Sequence, residues 1–89
     1  MKFEADIIVT LKDGVRDPQG SAVETVLKRT SIEEDPHVSV GKFFSVVVNA
    51  ENEEKAKSKL ENICLEVLSN PVLEKYKIER FSRTGGEQR

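Results

Sequence analysis

The sequence predicts a small α+β domain: an antiparallel sheet of three strands with two helices packed on one face. Three observations predict it. Residues 3–11 alternate apolar and polar. Residues 56–68 carry an apolar stripe at helical spacing. Turn and capping residues divide the chain in the order β-α-β-α-β. If the long middle strand breaks at Gly41, the sheet has four strands and the order becomes β-α-β(β)-α-β.

Phe3, Ala5, Ile7, Val9 and Leu11 fall on one side of a period-two pattern. Lys2, Glu4, Asp6, Thr10 and Lys12 fall on the other, with Ile8 the exception. This is a strand with one buried face. Asp13-Gly14 is a turn pair. Asp17-Pro18 then starts a helix: the aspartate caps orphan N–H groups, and proline loses nothing at the first helical position. Ala22, Val23, Val26 and Leu27 form its apolar stripe. Gly20, in the first turn, costs about 1 kcal/mol against alanine, which points to a close approach by another backbone or to a tolerated imperfection.

The polar connector "TSIEEDPH" ends at Asp35-Pro36, and a strand is expected over Val38–Asn49. Both of its faces are partly apolar. Either something covers the second face or Gly41 marks a bulge. Asn52 is a good N-cap for the second helix, with Glu53 and Glu54 in the turn where the helix dipole favours them. Its stripe is Ala56, Leu60, Ile63, Cys64, Val67 and Leu68. Burying each large member contributes about 1.5–3 kcal/mol gross, so this helix is expected to anchor the core. Asn70-Pro71 ends it, a last strand is expected around Tyr76–Phe81, and "SRTGGEQR" reads as a polar tail. The domain is placed at residues 1–82, the flexible tail at 83–89.

At 89 residues the chain makes one domain. A chain of this size hides only a little over about 60% of the surface its unfolded form exposes. Its core is thin, and self-association or docking on a larger partner is the expected supplement. Fourteen basic and sixteen acidic side chains give a net charge of −2, without the basic excess of a general nucleic-acid binder. One cysteine, no signal-like apolar N-terminus and no membrane-length apolar run point to the cytoplasm.

The residues offer little catalytic chemistry. Cys64 lies on the buried stripe of the second helix and reads as a small core hydrophobe rather than a nucleophile. The lone histidine, His37, sits in a Pro-flanked connector and reads as a surface or packing residue. No second cysteine or histidine completes a zinc set. The stretch "DGVRDPQGS" has glycines before a helix, the layout that cradles phosphate, but it matches neither common phosphate-loop spacing. Asp17 would also place negative charge where phosphate would sit. "GKFFSVVV" faintly resembles an RNA-binding strand, yet Phe43 and Phe44 must point to opposite faces. What remains is an apolar patch at Phe43 and Val47, outside the expected core, which marks a partner surface. The residues alone therefore describe a small α+β domain that self-associates. A ferredoxin-like module that binds a regulatory small molecule and an RNA-binding module stay open as alternatives.

At "VRDPQGSAV" and "VGKFF" the sequence resembles the PurS family, the small subunit of phosphoribosylformylglycinamidine synthase. The resemblance runs through "VTLKDGVRDPQGSAV", "VSVGKFFSVVV" and "LSNPVLEKYKIE", nearly the whole chain. The tail beyond Phe81 has no part in it. The resemblance implies a non-catalytic subunit of a ligase in de novo purine biosynthesis. The complex uses ATP, Mg and glutamine to convert formylglycinamide ribonucleotide into formylglycinamidine ribonucleotide. This subunit is expected to bind no cofactor itself, to form a homodimer or homotetramer, and to bridge the large synthetase and the glutaminase subunits in support of ammonia transfer. Nucleic acid and membrane are not expected partners.

Arg16, Asp17, Gln19 and Gly20 are expected in the surface that docks on the larger subunits, since they offer polar groups beyond what capping requires. The plainer reading is that Asp17 and Pro18 only start the helix. Gly41, Lys42 and Phe43 are expected at a subunit contact. Lys42 interrupts an apolar face and needs water or a carboxylate, or simply snorkels at the sheet edge.

Overall fold

The structure is a computed structural model and describes residues 1–84. Three strands, β1 (Lys2–Leu11), β2 (Lys42–Asn49) and β3 (Glu74–Arg83), form one antiparallel sheet in the order β2-β1-β3. Two helices, α1 (Pro18–Arg29) and α2 (Glu53–Ile63), complete the α+β fold. A turn of π-helix, Cys64–Leu68, extends α2.

The alternation in β1 decides where the core lies. Phe3, Ala5, Ile7 and Val9 point to one face and are buried. Ala56, Leu60 and Cys64 of the α2 segment cover them, and all three are fully buried. Val48 joins from β2, while Phe44, Val46, Tyr76, Ile78 and Phe81 pack around the margin. The rings of Phe3 and Phe81 stack at 5.6 Å between centroids, an arrangement that adds to simple area burial.

Among the described residues, only the α2 segment covers the sheet. Both helices were expected on one face, but α1 stands away from it: Gly20 is its one buried residue, and Val23 and Val26 are each 44% exposed. The molecule is accordingly elongated, 52 × 29 × 15 Å. An amphipathic stripe shows that a helix must bury one side, not that its own chain supplies the cover.

β2 begins at Lys42, four residues later than expected, and residues 38–41 form no fourth strand. Gly41 is not a bulge. The bulge lies between β1 and β3, where Asp6 faces Arg80 and Ile7 faces Ile78, which leaves Glu79 as the extra residue. The expected stripe of α2 also breaks at its end. The Ser69 N–H bonds the Cys64 carbonyl at 3.1 Å, the wider spacing of a π turn. That extra residue turns Val67 out to solvent and leaves Leu68 against the core.

The last strand is longer than Tyr76–Phe81. It runs from Glu74 to Arg83, opposite Phe3, and the Thr84 N–H bonds the Lys2 carbonyl at 3.0 Å. The rest of the tail expected over 83–89 lies outside the described residues.

Candidate functional site

The unusual residues meet at one end of the sheet, where β1 passes into α1 and the chain returns to enter β2. Gly14 takes the left-handed φ of +85° in the Asp13-Gly14 turn, as that pair predicts. Asp17 caps α1: its Oδ1 accepts the Gly20 N–H at 2.9 Å. Its Oδ2 accepts the Val40 N–H at 3.0 Å, across 23 residues of sequence. Both oxygens are therefore used, and hydrogen bonds from Val40 and then Gly20 hold the carboxyl below its ordinary pKa against a smaller opposing effect of desolvation.

Gly20 fills the first-turn position for a packing reason. A Cβ there would lie 2.4 Å from the Val38 carbonyl oxygen. The expected close approach by another backbone is present, and the segment before β2 supplies it. Gly41 plays a parallel part: its Cβ would lie 2.6 Å from the Val9 carbonyl oxygen and 2.8 Å from Thr10 Cγ2. These two glycines let residues 38–41 run between α1 and the end of β1.

Gln19, Gly41 and Lys42 line a shared cleft of about 310 Å³ with Val40 and Glu74. Lys42 Nζ lies 3.7 Å from Glu74 Oε2, so the carboxylate it needs comes from β3 of its own chain. Asp17 lines the adjoining cleft with Lys12, Asp13 and Lys75. Phe43 is turned away onto the open face of the sheet, where it is 64% exposed and opposite Ile8. Arg16 is exposed and forms no ion pair among the described residues.

Two contributors to this region were missed in the sequence. Glu24, on α1, accepts the Val38 N–H through Oε2 at 2.9 Å. It lies seven residues after Asp17, two helical turns on, so the spacing puts both carboxylates on one side of the helix. Glu74 is the other, and no local pattern links it to Lys42.

The remaining chemistry-bearing groups are placed elsewhere. Cys64 is fully buried, and burial followed by the charge of Glu61 pushes its thiol pKa up, away from the reactive thiolate. His37 is exposed beside Asp35. Among the described residues, no group of three His, Cys, Asp or Glu side chains is arranged to hold a metal ion, and no helix is long and apolar enough to cross a membrane. Phe43 and Phe44 point to opposite faces, and only Phe43 is on the open one. This pair therefore offers no two-ring stacking platform for RNA bases.

The region is thus a backbone junction clamped by carboxylates and flanked by exposed apolar groups, which suits contact with protein. Comparison with known proteins agrees with that character. Residues 4–82 match the PurS family, phosphoribosylformylglycinamidine (FGAM) synthase. The PurS subunit of that synthase from Thermotoga maritima is 37% identical over 79 residues, covering 89% of this chain and 96% of that protein. The subunit from Methanocaldococcus jannaschii is 32% identical over 77 residues, covering 86% and 93%. Among solved structures, Thermus thermophilus PurS superposes with a TM-score of 0.79 at 37% identity, over 94% of this chain and 99% of that one. A chain in the structure of PurLQS from Thermotoga maritima superposes with a TM-score of 0.79 at 35% identity, over 89% and 96%. The match takes in all three strands, both helices and the clamped junction between them, and the chain belongs to the PurS family, the small subunit of FGAM synthase in purine biosynthesis.

Proposed function

We propose that this chain is a non-catalytic subunit that joins the synthetase and glutaminase subunits of FGAM synthase and supports delivery of ammonia between them. The observation that carries the reading is α1. It stands off the sheet with Val23 and Val26 exposed, beside a junction whose polar side chains are engaged in holding backbone. Such a helix is built for a contact, because Val23 and Val26 of its apolar stripe have no cover among the described residues. The related chain in the PurLQS structure supports placing this one in an assembly of the same composition. ATP and Mg belong, on this reading, to the larger partner.

A second copy of the chain is the first occupant of the uncovered surfaces. β2 is an edge strand whose eight residues include one charge, Lys42, and it exposes Phe43 and Val47. Bare apolar edges of this kind are normally covered or blunted. A two-fold pair places each surface against its complement twice. The expected result in sedimentation is a mass of two or four chains of 10.0 kDa, and Val26→Asp, a change at an exposed position, yields a folded monomer. A wild-type monomer at micromolar concentration overturns the self-association.

Arg16, Gln19 and Lys42 remain on this reading as contacts for the larger subunits. Gln19→Ala keeps the cap and the helix, so loss of assembly in that variant assigns Gln19 to docking, and wild-type assembly removes it. Lys42→Glu also breaks the pair with Glu74 and is read the same way. The decisive experiment reconstitutes the complex with and without this chain. Glutamine-dependent synthesis is expected to fail without it while ammonia-dependent synthesis by the synthetase persists. Unchanged glutamine-dependent activity on omission overturns the proposal.

A further inference from the structure

We propose that Asp17 and Glu24 are positioning residues that clamp residues 38–40 to α1 and so preset the direction in which this helix leaves the sheet to meet a second copy of the chain. The inference rests on the reading of α1 as a subunit contact.

Residues 38–41 belong to no helix or sheet. The N–H groups of Val38 and Val40, two residues apart, both bond to the α1 segment, where Glu24 Oε2 and Asp17 Oδ2 accept them at 2.9 and 3.0 Å. The carboxylates thus do for this strap what a neighbouring strand would do in a sheet. Capping alone explains neither bond. The cap uses one oxygen of Asp17, bound to Gly20, and Glu24 sits beyond the first turn with no capping role. Gly20 completes the device, since the strap can seat only where the helix has no side chain.

The strap also ties α1 to the sheet. It enters β2 directly at Lys42, and Gly41 rests against the Val9 carbonyl of β1. Gly20 is the one residue of α1 that is buried, so apolar packing does little to hold the helix at its angle. Two hydrogen bonds to charged acceptors, among the stronger kinds, do that instead. A helix held in place before contact loses less freedom on binding than one that must first be ordered.

The test combines amide exchange with self-association on the full chain. Asp17→Asn keeps one oxygen for the cap and loses the acceptor for Val40. Glu24→Ala loses the acceptor for Val38, and Glu24→Gln retains one. Exchange at Val40 in Asp17→Asn and at Val38 in Glu24→Ala is expected to quicken at least about tenfold, as loss of a charge-assisted bond implies. Self-association is expected to weaken about tenfold in the same two variants, and Glu24→Gln is expected to restore both readouts. Unchanged exchange overturns the clamp. Faster exchange with wild-type self-association leaves the clamp standing and overturns its positioning role. A wild-type chain that never self-associates, with Val38 and Val40 still protected, overturns the contact reading itself and the role of the clamp with it.

Discussion

Gly20 and Val38 meet backbone to backbone: the carbonyl oxygen of Val38 occupies the space a Cβ on Gly20 would need, 2.4 Å from its ideal position. Alanine in a helix is ordinarily favoured over glycine by about 1 kcal/mol. Here the obstacle is a backbone atom held by bonds at Val38 and Val40, so it cannot swing aside as a side-chain tip would. Gly20→Ala is expected to destabilise the chain by about 1–3 kcal/mol, the cost of overpacking. Urea denaturation measures it, and a gain in stability would show that the strap relaxes freely.

The core and the projecting helix should respond differently to truncation. Leu60 is fully buried beneath the sheet, and Leu60→Ala is expected to cost about 2–5 kcal/mol in transfer and cavity terms. Val26 is 44% exposed, and Val26→Ala is expected to stay within about 0.5 kcal/mol in the dissociated chain. Equal losses at the two positions would mean that α1 is packed after all.

Ser31 stores backbone strain. It has a φ of +61°, in the left-handed region, directly after α1. The Ser31 N–H bonds the Lys28 carbonyl, and the Ile32 N–H bonds that of Leu27. This is the Schellman ending, which glycine fills best. Ser31→Gly is expected to stabilise the end of α1, because a left-handed non-glycine residue costs about 1 kcal/mol. Slower amide exchange in the last turn of the helix is the readout, and faster exchange would contradict the assignment of strain.

Tyr76 couples β3 to α2 and gives stability a dependence on high pH. Its hydroxyl donates to Glu61, and chiefly this bond, with desolvation and the charge of Glu61, pushes its pKa up to about 12. The folded value lies above the unfolded one, so the neutral phenol is the form that folding favours. The contribution is fully present below about pH 10, the unfolded value, and is lost as pH rises toward the folded value of about 12. The hydroxyl is the exposed end of a half-buried side chain, so its bond contributes at most about 1 kcal/mol. Tyr76→Phe is expected to flatten the fall in stability between pH 10 and pH 12; an unchanged profile would remove Tyr76 as its source.

Much of this molecule is local and was legible as such. The alternation of Phe3, Ala5, Ile7 and Val9 determined the buried face of β1. The Asn52 cap and the stripe at Ala56, Leu60 and Cys64 determined α2, and Asp17-Pro18 determined where α1 starts. Each depends on neighbours within a few residues, where propensity and periodicity act. The open character of Phe43 and Val47 followed from the same two-residue period. The quoted segments around Arg16–Gly20 and Gly41–Phe43 also carried the family resemblance, which a local string can do without any fold.

Tertiary structure decided what depends on residues far apart. The second oxygen of Asp17 reaches Val40, Lys42 finds Glu74, and Gly20 meets Val38, contacts that no periodicity encodes. The placement of α1 was undecidable for the same reason: a stripe at Val23 and Val26 demands cover but does not say which chain provides it. The π turn at Cys64–Leu68 moved Val67 out by one inserted residue, a change too small to leave a mark in composition. Sequence determined which faces are apolar and where elements begin; the packed chain decided which of those faces it could cover itself, because cover depends on distance in space and not along the chain.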